Sequence, residues 1–477
     1  MAVQSSKYEV FKIKSSNGER EVDLLDGPFA AGSRVVNLYF YENVLSPHIT
    51  GVATIVSTGD AVAKEGDESV TGSLHEYLPL EAGCEFMFRA KTEIGEGIDF
   101  AIKGDPHRIL YINEVQILDK QANSETIQIR FCSRIGVLNA IKKVTSCYKG
   151  SISESVASIC KDILTLPADR VLISESSNTY TFAGMTKRPF DLIAMIAKQT
   201  IPMNTANPGY FAYETKSGFK FVSLDSLINT EPDDQTHHYF YNSQNKDVNQ
   251  KDDDSNNFKV SALVVGRDQN LTSQIRSGIY ASKNIFFNPA TYSFTEIDIN
   301  VVDGKLIDDE KFSTLGGKPT VAKILDEEFE GGTKFHRVST AVMNIGGADT
   351  SVDPNNSPEL YYAAGAARYN ILFSQNYSIV VPMNTDLEAG DTIKLEIEVI
   401  SSNKESGPDQ KTSGTYIIQS LCHFFEAEKS VTSMKLIRDS YGMHFSKGET
   451  PEPVTRRVAI RNRRGRITGY REEAYTS

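Results

Sequence analysis

Histidine and cysteine are the side chains best suited to bind a metal or to act as a nucleophile, and the chain has eight and five of them. No histidine falls in an H-E-x-x-H motif or at the Cys/His spacing of a zinc site. Cys422 and His423 are adjacent, so on a strand their side chains would point to opposite faces. We therefore expect structural roles for the histidines, which are His48, His75, His107, His237, His238, His336, His423 and His444.

Other catalytic signatures are missing from the sequence. It contains no G-x-S-x-G nucleophile elbow, no G-x-x-x-x-G-K-[ST] phosphate loop and no G-x-G-x-x-G at a strand-to-helix turn. The 62 Asp and Glu residues would supply a carboxylate pair of the glycosidase kind, but no recognisable setting accompanies one. The sequence therefore assigns no catalytic, cofactor-binding or metal-binding residue, and it favours a structural protein over an enzyme.

The C-terminal segment, residues 448–477, is rich in arginine although the whole chain has a net charge of −12. Its arginines could neutralise nucleic-acid phosphates, pair with carboxylates of neighbouring proteins, or belong to a solvated tail. We favour a tail that orders when it docks onto an acidic partner, since the acidic body of the chain would repel DNA. The candidate contact residues are Arg456, Arg457, Arg461, Arg463, Arg464 and Arg466.

One polar run, NSQNKDVNQKDDDSNN at residues 242–257, contains three consecutive aspartates. It lacks the alternating ligands, the central glycine and the closing glutamate of a calcium loop. We therefore expect a solvated loop rather than a metal site.

Length and charge set further limits. A chain of 477 residues should form several domains, because single cores rarely grow beyond roughly 250–300 residues. The acidic balance argues against dedicated nucleic-acid binding and would suit the wall of a conduit for a polyanion. The cysteines show no paired short spacing, which is typical of a reducing compartment. With no signal pattern and no apolar run near ~18 residues, we expect no membrane span and assembly in a cytoplasm.

The most distinctive local pattern begins at residue 187. The helix signal covers residues 187–200, with Pro189 in the first turn, Asp191 near the positive end and Pro202 preventing continuation. Aromatic strands then surround the turn Thr215-Lys216-Ser217-Gly218, which predicts a hairpin over residues 210–224. This unit belongs to a predicted mixed α+β domain at residues 119–235.

Strand patterns dominate the two flanking regions. Residues 1–118 contain runs such as VVNLYFY and a turn at Asp26-Gly27-Pro28, which indicate a small barrel or sandwich. Residues 236–447 return to strands, interrupted by a glycine-rich stretch and a helix candidate at residues 359–375. The predicted class is therefore mainly β with an α+β part.

Several stretches resemble the baseplate hub protein of contractile phage tails, a family related to the N-terminal part of type VI secretion spike proteins. They are RPFDLIAMIAKQ, GYFAYETKSGFKFVSLDSL, VVNLYFYENVLSPHITGVATIVS, SCYKGSISESVASICKDIL and PMNTDLEAGDTIKL with SGTYIIQSLCH. The resemblance implies two tube-like β-barrel domains, at residues 1–118 and 236–447, flanking the mixed domain. It also implies a homotrimeric ring in the virion that adapts a hexameric tail tube protein to a central spike protein and contacts other baseplate proteins. Genomic DNA would pass through its lumen without specific binding.

Two alternatives stay open. A tail-associated cell-wall hydrolase is disfavoured because no segment has lysozyme character. A hub or spike component of a related contractile injection system would be expected to carry a long β-helical extension, and the sequence stops at Ser477 without one.

Overall fold

The structure is a computed structural model. It describes residues 6–25, 33–60, 62–64, 67–102, 104–204, 207–232, 237–241, 257–267, 270–278, 281–288, 292–300, 314–316, 337–342, 358–399, 408–409, 411–426, 429–440, 455–461 and 467–474. The predicted turn at Asp26-Gly27-Pro28, residues 242–256 of the polar run and most of the glycine-rich stretch lie outside these ranges.

The first β module, residues 7–133, is an antiparallel sheet in the order β3-β4-β10-β9-β7-β1-β2, with β8 beside β7. Its inward side chains are large and apolar, among them Phe11, Phe40, Phe86 and Phe131, none of which is more than 2% exposed. Alternation along each strand places these rings on one face, where they exclude water together. The elements are β1 Lys7–Lys14, β2 Glu21–Asp23, β3 Ser33–Asn43, β4 Thr50–Thr58, β5 Val62–Lys64, β6 Asp67–Gly72, α1 Leu74–Tyr77, β7 Glu85–Lys91, β8 Ile98–Phe100, β9 Leu110–Lys120 and β10 Ser124–Ser133.

The middle module, residues 134–229, is the α+β part and has a core of its own. Its hairpin β14–β15 carries β12 as a parallel third strand, and helix α4 packs on it. The elements are α2 Arg134–Ile141, β11 Cys147–Tyr148, α3 Ile152–Ser158 followed by a π-helical turn Ile159–Ile163, β12 Val171–Ile173, β13 Phe182–Ala183, α4 Pro189–Ala197, β14 Tyr210–Thr215, β15 Gly218–Ser223 and α5 Leu224–Asn229.

The second β module, residues 238–438, has the strand order β17-β21-β24-β23, with β22 beside β23 and β16 parallel to β22. A smaller sheet, β19-β18-β20, is inserted between β17 and β21, and helix α7 contacts it. The elements are β16 His238–Tyr241, β17 Ala262–Arg267, α6 Leu271–Ser277, β18 Ala281–Asn288, β19 Ser293–Asn300, β20 Arg337–Val342, α7 Pro358–Leu372, β21 Gln375–Pro382, β22 Thr392–Ile397, β23 Gly414–Glu426 and β24 Val431–Arg438.

The two β modules share one continuous sheet. Strand β23 pairs with β3 in antiparallel register, from Ser420 opposite Asn43 to Glu426 opposite Asn37. The sheet of the first module also curls back towards this seam. This curvature brings the Tyr8 hydroxyl to the Phe425 carbonyl, to which it donates a hydrogen bond at 3.3 Å. Strand β1, which carries Tyr8, is several strands away from β23 in the sheet order. The seam is therefore a site where both modules are held together by backbone hydrogen bonds.

Two features of the predicted organisation are corrected. The boundary at residue 118 falls inside β9, and β10, which we assigned to the mixed domain, pairs with both β4 and β9. The reason is that β10 alternates as a half-buried strand and completes the first core with Ile127 and Ile129. The C-terminal segment, expected to be a tail, contains a two-stranded antiparallel hairpin, β25 Thr455–Arg461 and β26 Ile467–Ala474. The predicted class, mainly β with an α+β part, is confirmed.

Candidate functional site: a buried polar junction between three modules

The turn of the β14–β15 hairpin lies where the three modules meet. The hairpin has two buried faces: Tyr210, Phe219 and Phe221 belong to the core of the middle module, whereas Phe211 and Tyr213 pack with residues of both β modules. Its turn ends at Gly218, where a Cβ atom would lie 2.4 Å from the Arg170 carbonyl oxygen. Only glycine permits this close approach of two backbone segments.

Glu42, on β3, connects all three modules through one carboxylate. Its two oxygens accept hydrogen bonds from the backbone N–H of Lys216 at 2.6 Å and of Ala389 at 2.9 Å. Lys216 belongs to the hairpin turn, and Ala389 belongs to the segment between β21 and β22. The side chain is almost fully buried. Burial, together with the nearby Glu388 carboxylate, raises the pKa of Glu42 to about 8.

Glu388 is the carboxylate of the junction that forms a salt bridge, with Lys220. Its carboxylate accepts from the Ser217 hydroxyl and from the Lys220 ammonium group, each at 2.7 Å. Burial alone would raise the pKa of Glu388, but the Lys220 and Lys216 charges outweigh it and the pKa is lowered. The neighbouring Asp391 carboxylate accepts from the Glu388 N–H at 2.8 Å, and burial raises its pKa. The ammonium group of Lys216 donates to the Thr385 carbonyl.

Glu214 attaches the same hairpin to the first β module alone. Its carboxylate accepts from the Ile49 N–H at 2.9 Å and from the Ser133 hydroxyl. Burial raises the pKa of Glu214 to about 7, although these hydrogen bonds lower it in part. The carboxylate borders a cavity of about 10 Å³ that Arg134 and His107 also line.

Two arginines lie beside the junction. Arg108 belongs to the first module, and Arg170 lies in the loop before β12. Arg108 donates from Nη1 to the Lys216 carbonyl at 2.9 Å, and its guanidinium carbon lies 5.5 Å from the centre of the Phe100 ring. Arg170 pairs with Asp105 at 2.6 Å. Backbone groups of the turn are thus satisfied by charged side chains from outside it, as buried polar groups require.

A second buried pair ties helix α7 to the middle module. The Arg368 guanidinium donates to the Asp225 carboxylate and, at 3.2 Å, to the Asn207 carbonyl. Both charged side chains are at most 5% exposed. Breaking such a pair is costly because the remaining charge stays buried.

The histidine and cysteine that we discussed first face opposite sides of β23, as predicted. His423 is fully buried, and its Nδ1 lies 3.1 Å from the Thr432 hydroxyl. Burial lowers the pKa of His423 to about 3, so it is neutral near pH 7. Cys422 is half-buried on the outer face beside Tyr41, and burial raises its pKa to about 12. In the described part of the chain, no group of three or more metal-binding side chains occurs.

The arginines proposed for assembly contact are only partly described. Arg456, Arg457 and Arg461 lie on β25, whereas Arg463, Arg464 and Arg466 lie outside the described residues. In the hairpin register, Arg456 is opposite Glu473 and Arg457 is opposite Glu472. The hairpin is therefore not purely basic, since both of these positions face a carboxylate residue across the strands.

The strand order of the continuous sheet ends at β17 on one side and at β2 on the other, and β9 leaves part of its length with one partner strand among the described residues. Strand β17 pairs only with β21 among the described strands, and its Val264 and Val265 are 61% and 54% exposed. Part of β9 forms a further edge, because beyond residue 112 it pairs only with β10 within the same set of strands, and Leu118 is 49% exposed. Exposed apolar edge strands are typical sites for pairing with another chain.

Sequence analysis missed the junction, although one signal was present. Glu42 is in phase with Leu38 and Phe40 along β3, so alternation alone directs its side chain inward. A carboxylate on an inward position of an apolar strand requires partners. No sequence pattern identified Glu388 or Ala389 as members of the junction, because their proximity to Glu42 depends on how the modules pack.

Fold and junction together define a mainly β protein in which two β modules, joined edge to edge, enclose the turn of an α+β hairpin. Within the described residues, no helix is long and apolar enough to cross a membrane.

Known structures include similar ones. The 43 kDa tail protein of prophage MuSo2 from Shewanella oneidensis is 10% identical, with 90% of this chain and 99% of that chain covered and a TM-score of 0.48. The tail protein from Neisseria meningitidis MC58 is 8% identical, covering 91% and 96%, with a TM-score of 0.47. A component of the E. coli type VI secretion system is 9% identical, covering 91% and 84%, with a TM-score of 0.38. No protein-family model and no curated protein matches the chain.

Proposed function

We propose that this protein is a structural hub subunit of a phage baseplate, which assembles as a homotrimer between the tail tube and the central spike. The support is the resemblance of the quoted sequence stretches to the hub family and the geometry of the continuous sheet. Two β modules per chain would supply six modules in a trimer, and this number suits a hexameric tube above and a trimeric spike below. The ring would leave a lumen through which DNA passes, in a virion assembled in the host cytoplasm.

The observation that carries the proposal is the pair of unlike sheet edges. An interface between β17 of one copy and the outer half of β9 of the next would be heterologous, because different surfaces meet. Heterologous contacts generate rings when the rotation between copies closes. Pairing would also cover the exposed Val264, Val265 and Leu118 side chains.

In this proposal the protein works without catalysis. The polar junction described above consists of buried side chains that bond to backbone groups of the same chain. Such an arrangement suits mechanical coupling between modules better than substrate turnover. We therefore assign no catalytic role to the residues of this junction.

The mass of the purified protein in solution tests this function. Light scattering should give three times the chain mass of 52.8 kDa for the protein alone, or this trimer mass plus the mass of the bound spike after addition of the spike protein. A stable monomer under both conditions would contradict the proposal. A trimer that forms only with the spike would support the baseplate role and show that the ring closes on its partner.

A hub or spike component of a related contractile injection system is the second candidate. It shares the hub architecture in the family resemblance, so the mass of the particle does not distinguish it. Electron microscopy of purified phage tails decorated with an antibody against this protein would do so. Label at the baseplate centre supports the phage hub, whereas absence of label from intact tails favours the second candidate.

A further inference from the structure

Two neighbouring cavities open on the outer face of the continuous sheet, at the β3–β23 seam. One has a volume of about 440 Å³ and is lined by β3, β4 and strands β21, β23 and β24 of the second β module. The other has a volume of about 550 Å³ and lies between β3, β4 and β10 of the first module and helix α2. Tyr41, His48 and Thr50 line both cavities, so the two form one depression, which we call the seam groove.

The charge of the seam groove is opposite in sign to that of the whole chain, which is −12. Lys435 lines the end of the groove in the second β module, whereas Arg130 and Arg188 line the other end. All three side chains are exposed. Glu42 carries the one carboxyl group among the described lining residues, and both of its oxygens accept from backbone N–H groups of the junction. The groove therefore presents positive charge to solvent at both ends.

Both arginines at the first end can accept a further carboxylate. The Arg130 guanidinium lies 3.5 Å from the Glu114 carboxylate, but the two side chains are 55% and 51% exposed. Such exposed pairs contribute little to stability, so an incoming carboxylate can share or replace Glu114. Arg188 is the N-cap residue of helix α4, whose N-terminus carries a partial positive charge. A carboxylate bound there would interact favourably with the guanidinium and with the helix.

The register of the sheet gives the distance between the charged ends. Arg130 lies in the same row of side chains as Tyr39, and Lys435 lies in the same row as Asn43. These rows are four residues apart along β3, and β24 is four strand spacings from β10. With about 3.3 Å per residue and about 4.8 Å per strand, the two positions are roughly 23 Å apart. An extended chain reaches both when its carboxylates are about seven residues apart.

The middle of the groove is uncharged. It presents the hydroxyls of Thr50 and Ser433 and the ring of Tyr41, which is 37% exposed. His48 also lines it, and burial lowers the pKa of its imidazole, so the side chain is neutral near pH 7. Small polar or apolar side chains of a ligand can pack here without desolvating a charge.

We propose that the seam groove binds an extended acidic segment of a partner protein, whose carboxylates pair with Lys435 at one end and with Arg130 and Arg188 at the other. The bound segment would contact both β modules and would bridge the seam between them. Nucleic acid is a less suitable occupant, because the acidic remainder of the chain repels a long polyanion, whereas a short segment stays within the basic groove. This inference concerns a single chain and does not depend on the proposed ring.

Fluorescence anisotropy with the full-length protein tests the groove. The probe is a fluorescein-labelled peptide with two pairs of glutamates about seven residues apart and with serine and leucine between them. It should bind with a Kd below about 1 mM, and the affinity should fall as the salt concentration rises. A peptide of the same composition with all glutamates adjacent can reach only one end of the groove. It should therefore bind at least about threefold more weakly.

Variants of the protein locate the bound peptide. Lys435→Glu and Arg188→Glu reverse an exposed charge at opposite ends of the groove, and each should weaken binding at least about fivefold. Thr50→Trp places a large ring where the two cavities meet and should weaken binding to a similar extent. Lys411→Glu makes the same charge change at an exposed position outside the groove and should bind the peptide like the wild type. Circular dichroism checks that each variant is folded.

Absence of binding up to about 1 mM would overturn the proposal. Equal binding of the two peptides, or wild-type affinity in both charge-reversal variants, would overturn it as well. A labelled single strand of thymidines that binds more tightly than the peptide, and that the same substitutions weaken, would assign the groove to nucleic acid instead. Loss of peptide binding when the protein self-associates would mean that a second copy covers the groove. A monomeric protein that binds the peptide as predicted would support this inference and contradict only the ring.

Discussion

The rings of Tyr39 and Phe424 pack across the β3–β23 seam with their centroids 4.6 Å apart, although one belongs to the first β module and the other to the second. The next residue, Phe425, points to the opposite face and enters the core of the first module. Strand β23 therefore contributes side chains to two cores, with Leu421 and Ile418 in that of the second module. The seam joins the modules by side-chain packing as well as by backbone hydrogen bonds.

Replacing Phe425 tests this sharing of cores. Because the ring is fully buried, Phe425→Ala should lower the free energy of unfolding by about 3–5 kcal/mol. Denaturant unfolding followed by circular dichroism measures the change. Phe294→Ala, at a ring that is 68% exposed, serves as the control and should change stability by less than about 0.5 kcal/mol. Equal effects for both variants would mean that β23 is not part of the first core.

The core of the middle module can be tested in the same way. Phe190 on α4 and Phe221 on β15 are 4% and 0% exposed, and both belong to that core. Phe190→Ala or Phe221→Ala should destabilise the protein by about 3–5 kcal/mol. An unchanged thermal midpoint in both variants would contradict the packing of helix α4 on the hairpin.

The free edge at β17 yields a prediction about assembly. In the proposed ring, Val264→Lys should weaken association at least tenfold, because it places a charge in an apolar strand-pairing contact. The fold should be unchanged, since Val264 is 61% exposed in the single chain. Sedimentation at several concentrations measures the association constant. Leu45→Lys, at a turn residue that is 54% exposed, is the matched control and should assemble like the wild type. Undiminished association of Val264→Lys would remove this edge from the interface.

The arginine-rich C-terminal segment is predicted to dock onto an acidic partner. A protein truncated after Lys447 should retain its fold, because the described strands of both β modules end before this residue. Its incorporation into baseplates should fall several-fold, since guanidinium–carboxylate contacts would be lost. Complementation with the truncated protein, followed by counting of assembled particles, measures this. Normal incorporation of the truncated protein would contradict docking and would mean that the C-terminal hairpin is solvated in the assembly.

Sequence patterns alone determined helix α4, the β14–β15 hairpin, some of the strands, β3 among them, and the mainly β class. These features depend on local alternation, capping and turn residues, whose effects act over a few neighbouring positions. The helix at Pro189–Ala197 and the strands Tyr210–Thr215 and Gly218–Ser223 lie within the limits predicted for them. The burial of His423 opposite the half-exposed Cys422 follows from the same local alternation.

Only the tertiary structure decided where those elements meet. Nothing local directs β23 to pair with β3, or brings the Ala389 N–H to the carboxylate of Glu42. Such contacts join residues that are far apart in the chain, and their formation depends on the shape of the packed modules rather than on neighbouring residues. Alternation showed only that Glu42 points inward. The three-module junction exists because packing places two backbone donors and two lysines around that buried carboxylate.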